Sequence, residues 1–210
     1  MCLTGCRIMV KHHLKGEMPM QGSKQPLSAL SGAFVERIPD NLLLDPIAYI
    51  FADHCRQANL CEVLTIFAEQ YLADKPDLQV AAAIVNSLGV DLDLHIADEE
   101  MDLFPRLNVR TLPDDHFPEL LRILDKEHDR DRVLADKVCA GMQRLINGEA
   151  PVDPDKFRRA ITTLAATHLS HLNWENAAIL PLARKRLTDE DLEAIGRVMA
   201  SRRSIPYPEN

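Results

Sequence analysis

Strand signals are scarce in this chain. Glycine occurs only 8 times in 210 residues, aromatics make up 5%, and no run of alternating β-branched residues appears. A sandwich, a barrel or a parallel sheet is therefore excluded as the organising unit. There is no glycine-rich phosphate loop, and no Ser/His/Asp or Cys/His nucleophile arrangement stands out. Basic residues are outnumbered, with 24 Lys and Arg against 32 Asp and Glu for a net charge of −8. That balance lacks the basic footprint a nucleic-acid partner requires. No apolar run approaches the roughly 18 residues of a membrane span, so no membrane partner is expected. Leu3-Thr4-Gly5-Cys6 lacks the charged and apolar stretches that precede a lipidation box. The five cysteines, Cys2, Cys6, Cys55, Cys61 and Cys139, are odd in number and irregularly spaced. They read as free thiols in a reducing cytoplasm.

What the chain does have is helical periodicity. Residues 1–44 carry no sustained period and read as an irregular N-terminal extension. Asp45-Pro46 then supplies an N-cap with proline at the first helical position. A first helix is predicted over 46–73, with His54 on its apolar stripe. A second is predicted over 77–104, ended by Phe104-Pro105. The third starts near Pro118 and stops at Asn147-Gly148. Asp153-Pro154 caps a fourth that runs to about 183. Thr188 with Asp191 forms a capping-box pattern for a short fifth helix over 189–202. These elements predict an all-α, up-down antiparallel four-helix bundle over 45–186, with a short C-terminal helix and tail over 187–210.

One pattern occurs twice. Asp53-His54-Cys55-Arg56 is followed by His95 and Glu99, and Glu127-His128-Asp129-Arg130 by His171 and Glu175. The two His-to-His intervals are 41 and 43 residues, and a proline lies six residues beyond each Glu, at Pro105 and Pro181. The repeat predicts two helix hairpins related by a pseudo-twofold axis. Residues four apart share a helix face, and here that face is the apolar one. A buried carboxylate costs several kcal/mol unless it is paired or metal-bound. Four inward imidazoles and two inward carboxylates at one level need a common partner, and two metal ions supply it. Imidazole with carboxylate suits iron, manganese or zinc. Two shared carboxylates plus two imidazoles per ion leave positions that water, oxide or hydroxide would fill.

His168, three residues before His171, is open between an extra nitrogen ligand, a gate to the metal and a hydrogen-bonded core histidine. Asp53/Arg56 and Glu127/Arg130 are also duplicated. They read as i,i+3 ion pairs or contacts to a neighbouring helix, with an outer role around the ligands as the other reading.

The pattern resembles the hemerythrin family, in the bacterial domains named for their His-His-Glu motif, over about residues 45–185. It looks closest to the four-His, two-Glu branch that includes the iron-sulfur-centre repair proteins. The resemblance implies His54, His95, His128 and His171 as terminal ligands and Glu99 and Glu175 as bridging carboxylates. It implies two iron ions, oxo- or hydroxo-bridged, and a small gaseous ligand such as dioxygen or nitric oxide. Oxygen-carrying hemerythrins have a second His four residues after the one on helix three, and Arg132 stands at that position here. Residues 1–44 carry Cys2 and Cys6 without matching the cysteine-bearing N-terminal domain of the repair proteins.

These residues support two functional expectations. One is a cytoplasmic di-iron protein handling dioxygen, peroxide or nitric oxide, in iron delivery or in the response to nitrosative or oxidative stress. The other is a gas- or metal-sensing module acting through a protein partner at the N-terminal extension. A monomer or a homodimer suits either, and whether there is turnover is left open.

Overall fold

Six helices, one of them built in five segments, carry the described part of the chain. A computed structural model describes residue 32, residues 34–73 and residues 76–208. Helix α1, Pro46–Leu72, opens where the Asp45 side chain accepts the Ala48 N–H at 3.1 Å. Helix α2, Leu78–Arg110, opens on Asp77, which accepts from Gln79 and Val80. Helix α3, Phe117–Ile146, follows the left-handed residue His116 (φ 50°) and ends at Gly148 (φ 77°). Glycine takes that φ without the Cβ clash other residues meet. Helix α4, Pro154–Ala177, is capped by Asp153, and α6, Asp189–Arg202, by the Thr188/Asp191 box.

Two boundaries differ from the sequence reading, and both concern the duplicated prolines. Helix α2 does not stop at Phe104-Pro105. It contains two π-helical stretches, Ser87–Asp91 and Asp98–Leu103, and Pro105 falls in the first turn of the α-helical segment Phe104–Arg110 that comes next. Pro105 follows closely on the π-helical stretch, whose wider turn takes up the missing N–H and the ring that would interrupt a regular α-helix. The fourth helix does break. Ala178 is a turn residue with a distorted φ (φ −119°, ψ −52°), and a separate helix, α5, Ile179–Arg186, follows. Pro181 accounts for the break, because its ring clashes with the carbonyl four residues back, at Ala177.

The closest helix packing is of α1 on α4, α4 on α3, and α3 on α2. Two apolar cores result. One gathers Leu60, Leu64, Phe67, Ile84, Val138 and Leu164; the other gathers Ile50, Leu103, Phe104, Phe117, Leu124 and Ile179. On every long helix the ligand-type residues fall at the junction of these cores, so the bundle is a polar layer between two apolar plugs.

Part of the segment read as an irregular extension is built into the second core. A 3₁₀ turn spans Asp40–Leu44, and Ile38 and Leu43 are buried with that core. Phe34 is buried in the first. The remainder, including Cys2 and Cys6, lies outside the described residues. Helix α6 packs on the 3₁₀ turn and on α1. There the Gly196 position holds a Cβ-free gap, since a Cβ would sit 2.2 Å from the Leu43 carbonyl oxygen. The expectation of free thiols holds for Cys61 and Cys139 and fails for Cys55, which is disulfide-bonded.

Leu78–Arg110 is long and apolar enough by composition to cross a membrane. In this fold it is a bundle helix that buries His95, Asp98, Glu99 and Asp102.

Candidate metal centre

Each of the four long helices contributes to one closed cluster. His54 comes from α1, His95 and Glu99 from α2, His128 from α3, and His171 and Glu175 from α4. All six are at most 1% exposed. The i,i+4 spacing places His95 Nε2 3.5 Å from Glu99 and His171 Nε2 3.3 Å from Glu175. His54 Nε2 lies 3.3 Å from Glu99 and 3.5 Å from Glu175, and His128 Nε2 lies 3.3 Å from Glu99. The structure thus brings together every residue the duplicated pattern singles out.

The donors fall into two sets, His54–His95–Glu99–Glu175 and Glu99–His128–His171–Glu175, each with its ligand atoms within 4.8 Å of one another. Both carboxylates belong to both sets. In protein alone the cluster is unsatisfied: His95 Nε2, Glu99 Oε2 and both oxygens of Glu175 are buried without a hydrogen-bond partner. An orphaned buried polar atom costs about 1–3 kcal/mol, so four in one place call for a missing partner. His128 Nε2 and His171 Nε2 also face each other at 3.1 Å. Two lone pairs at that distance repel unless a proton or a cation lies between them. The donor set therefore fits metal cations, by composition and by its unmet bonds.

Residues 45–183 match the hemerythrin HHE cation binding domain. The chain belongs to the hemerythrin family. No curated protein and no solved structure matches it. As a hemerythrin-family domain it is a metal-binding protein with an imidazole and carboxylate centre inside a helical bundle.

The cluster is surrounded by a second duplicated pattern that orients the imidazoles. All four histidines turn Nε2 inward and Nδ1 outward onto an oxygen. His171 Nδ1 lies 2.8 Å from Glu127, and His95 Nδ1 lies 3.3 Å from Asp53. The acidic residue preceding the first His of each repeat thus holds the second His of that repeat. Across the repeats, His54 Nδ1 meets Asn176 at 2.7 Å and His128 Nδ1 meets Glu100 at 2.9 Å. Asn176 and Glu100 each come directly after a ligand Glu in sequence. Fixing Nδ1 in this way sets the tautomer that leaves Nε2 free to ligate.

Asp53 also takes the predicted i,i+3 pair with Arg56 at 2.8 Å. Arg130 does not repeat it with Glu127, but pairs with Asp131 at 3.1 Å. Arg132, at the position of the carriers' extra His, reaches Glu100 at 2.6 Å and so acts on the carboxylate behind His128.

His168 resolves to the third of its readings. Its Nδ1 lies 2.8 Å from Asp131 and its Nε2 2.7 Å from Gln57, with its ring stacked 6.0 Å from that of His171. Neither nitrogen points at the donor sets. Gln57 passes the connection on, donating to Asp53 at 3.1 Å. Burial pushes the His168 pKa below its ordinary value, with the Asp131 carboxylate opposing.

Among the ligand-type residues, burial lowers the His171 pKa, but the Glu175 carboxylate 3.3 Å away, with Glu127 and Glu99, overrides this and holds it at about 10. His54 and His128 are raised in the same sense against burial, chiefly by the adjacent Glu99 carboxylate. Burial acts to raise Glu99, and the surrounding His95, His128 and His54 hold it well below the usual carboxylate range.

Sequence reasoning missed Glu100, Asn176, Gln57 and Asp131 as groups around the centre. The one available signal is positional: Glu100 and Asn176 directly succeed the two ligand glutamates, and Gln57 and Asp131 each lie three residues after a ligand histidine. Helix α6 adds a further support. Arg202 and Arg203 both bind the buried Asp98, next to Glu99, and Arg202 reaches Asp102 at 2.6 Å.

Proposed function

We propose that His54, His95, Glu99, His128, His171 and Glu175 hold two iron ions, and that the protein binds or reduces dioxygen, nitric oxide or peroxide in a stress response. The observation that carries this reading is the pair of buried donor sets sharing Glu99 and Glu175, with four of their donor atoms lacking a protein partner. Iron bound there supplies one-electron chemistry and coordination positions for a small ligand. The protein's share is to bind, orient and exclude water. Asp53, Glu127, Glu100 and Asn176 aim the imidazoles, and the two apolar cores keep bulk solvent from the polar layer.

The burial of all six donors favours a ligand of very few atoms. A surface cleft of about 360 Å³ lies next to His128, lined by Glu100, Phe104, Pro105, Asn108, Leu121 and Arg132 among others. Phe104 stacks on the His128 ring at 6.1 Å and forms the inner wall. With Arg132 engaged on Glu100, the side chain at the carriers' extra ligand position is committed elsewhere. That favours reactive or sensing chemistry over reversible oxygen carriage.

The test is to purify the protein without added metal, measure metal stoichiometry, and record the visible spectrum before and after reduction and after adding nitric oxide. Two irons per chain, near-ultraviolet bands of a coupled ferric pair and a spectral response to nitric oxide are expected. Two zinc ions would overturn the redox reading, and protein that takes up no metal would overturn the centre itself.

A further inference from the structure

The two halves of the centre share one pattern but are not backed alike. Behind His128 and His171 stand two carboxylates, Glu100 at 2.9 Å and Glu127 at 2.8 Å. Behind His54 stands the neutral amide oxygen of Asn176 at 2.7 Å. Behind His95 stands Asp53 at the longer distance of 3.3 Å. Asp53 divides its charge further, since it also binds Arg56 at 2.8 Å and Gln57 at 3.1 Å. Arg132 draws on Glu100 in the same way, at 2.6 Å, so each half carries one guanidinium. The halves then differ by one carboxylate, at the Glu100/Asn176 pair that the repeat places in equivalent positions.

A carboxylate that accepts the Nδ1–H of a ligating imidazole makes its Nε2 a stronger donor, and a neutral amide does so less. The ligands facing the two ions are otherwise matched: two imidazoles each and the same two shared carboxylates.

We propose that the two metal positions are inequivalent, and that the His128/His171 position fills before the His54/His95 position because of the Glu100/Asn176 difference. This rests on the metal-centre reading above. Glu100 and Asn176 are positioning residues that act through the histidines they hold. Changes to such outer partners typically alter metal affinity about ten- to a hundredfold, and a separation of that order is expected between the two sites.

The test uses the full chain, stripped by a chelator and titrated with Zn²⁺ while the imidazole nitrogen resonances are followed. At one equivalent, His128 and His171 should show the shifts of direct ligation, with His54 and His95 responding only at the second. Asn176→Asp should tighten the second step about tenfold and bring the two together, and Glu100→Gln should weaken the first by about the same factor. Glu100→Gln keeps the side-chain shape, so it also guards against a fold defect in Asn176→Asp. Filling of all four histidines together, filling in the opposite order, or an unchanged second step in Asn176→Asp would overturn the proposal while leaving a metal centre in place. No Zn²⁺ uptake at all would overturn both.

Discussion

His168 Nε2 lies 2.7 Å from the amide oxygen of Gln57, a residue 111 positions away on α1, the helix packed against α4. The contact decides what His168 does. With Asp131 on its other nitrogen, the ring has no donor left for a metal, although it lies one turn from His171.

Substitution should therefore separate metal content from stability. Glu99→Ala or Glu175→Ala removes a carboxylate common to both donor sets, and metal per chain should fall by half or more. His168→Ala should keep its full metal complement. It should lose about 1–3 kcal/mol of stability, because Asp131 and Gln57 are left buried without their partner. Metal analysis alongside urea unfolding checks the pair, and loss of metal from His168→Ala equal to that from Glu175→Ala would overturn the assignment.

Proton and metal should compete for this site. In metal-free protein the folded pKa of His171 is raised from 6.5 to about 10, mainly by Glu175 against the opposing effect of burial. The stabilisation from its imidazolium is therefore fully present below about pH 6.5 and lost as pH rises through about 10. Metal binding needs neutral imidazole, so loading should release protons and affinity should rise across that window. Melting curves of metal-free protein should fall in Tm from pH 6.5 to 10, whereas the metal-loaded protein should stay nearly level. Proton release on metal addition can be monitored in weakly buffered solution.

The C-terminal helix should matter to the centre through Asp98. This carboxylate is 1% exposed and is held by Arg202 and Arg203. Burial raises its pKa, and the two arginines oppose that. Removing both arginines leaves a buried charge without compensation, and Arg202→Ala with Arg203→Ala should cost about 3–5 kcal/mol. Adding Asp98→Asn to that background should recover a good part of the loss. Chemical denaturation of the three proteins measures it, and a double variant as stable as the parent would show that the clamp contributes nothing.

Two glycines should respond oppositely to alanine. A Cβ at Gly196 meets the Leu43 carbonyl oxygen at 2.2 Å, a backbone atom that yields little, whereas nothing lies within 4 Å of one at Gly89. Gly196→Ala should cost about 1–3 kcal/mol as α6 is pushed off the 3₁₀ turn. Gly89→Ala should be neutral or stabilise by up to about 1 kcal/mol, from improved helix propensity alone. Thermal melts of the two variants compare them directly.

Much of this molecule was legible in the amino-acid order, because the strongest signals are local. The caps at Asp45, Asp153 and Thr188 and the stop at Gly148 act within one turn of helix, and the structure has them where the sequence places them. The two prolines were harder to read. Pro105 and Pro181 hold equivalent places in the repeat, yet only Pro181 belongs to a separate helix. The π-helical stretch Asp98–Leu103 ahead of Pro105 absorbs the irregularity that Ala178 shows at the other site. Nothing in composition marks such a stretch.

By itself the sequence determined the class of the fold and singled out the six His and Glu residues that the structure gathers into one buried cluster, since a duplicated His-x-x-x-Glu on an apolar helical face has few other uses. Only the tertiary structure decided what stands behind them. The oxygens on His54, His128 and His171 come from 122, 28 and 44 residues away. Which helix supplies each depends on how the helices are rotated about their axes. Each π-helical turn in α2 adds a residue and so rotates the C-terminal remainder of the helix by about 100°. That rotation is set by packing against α3 and by the Arg202–Arg203 clamp. Both are contacts between distant segments, beyond the reach of a pattern read along the chain.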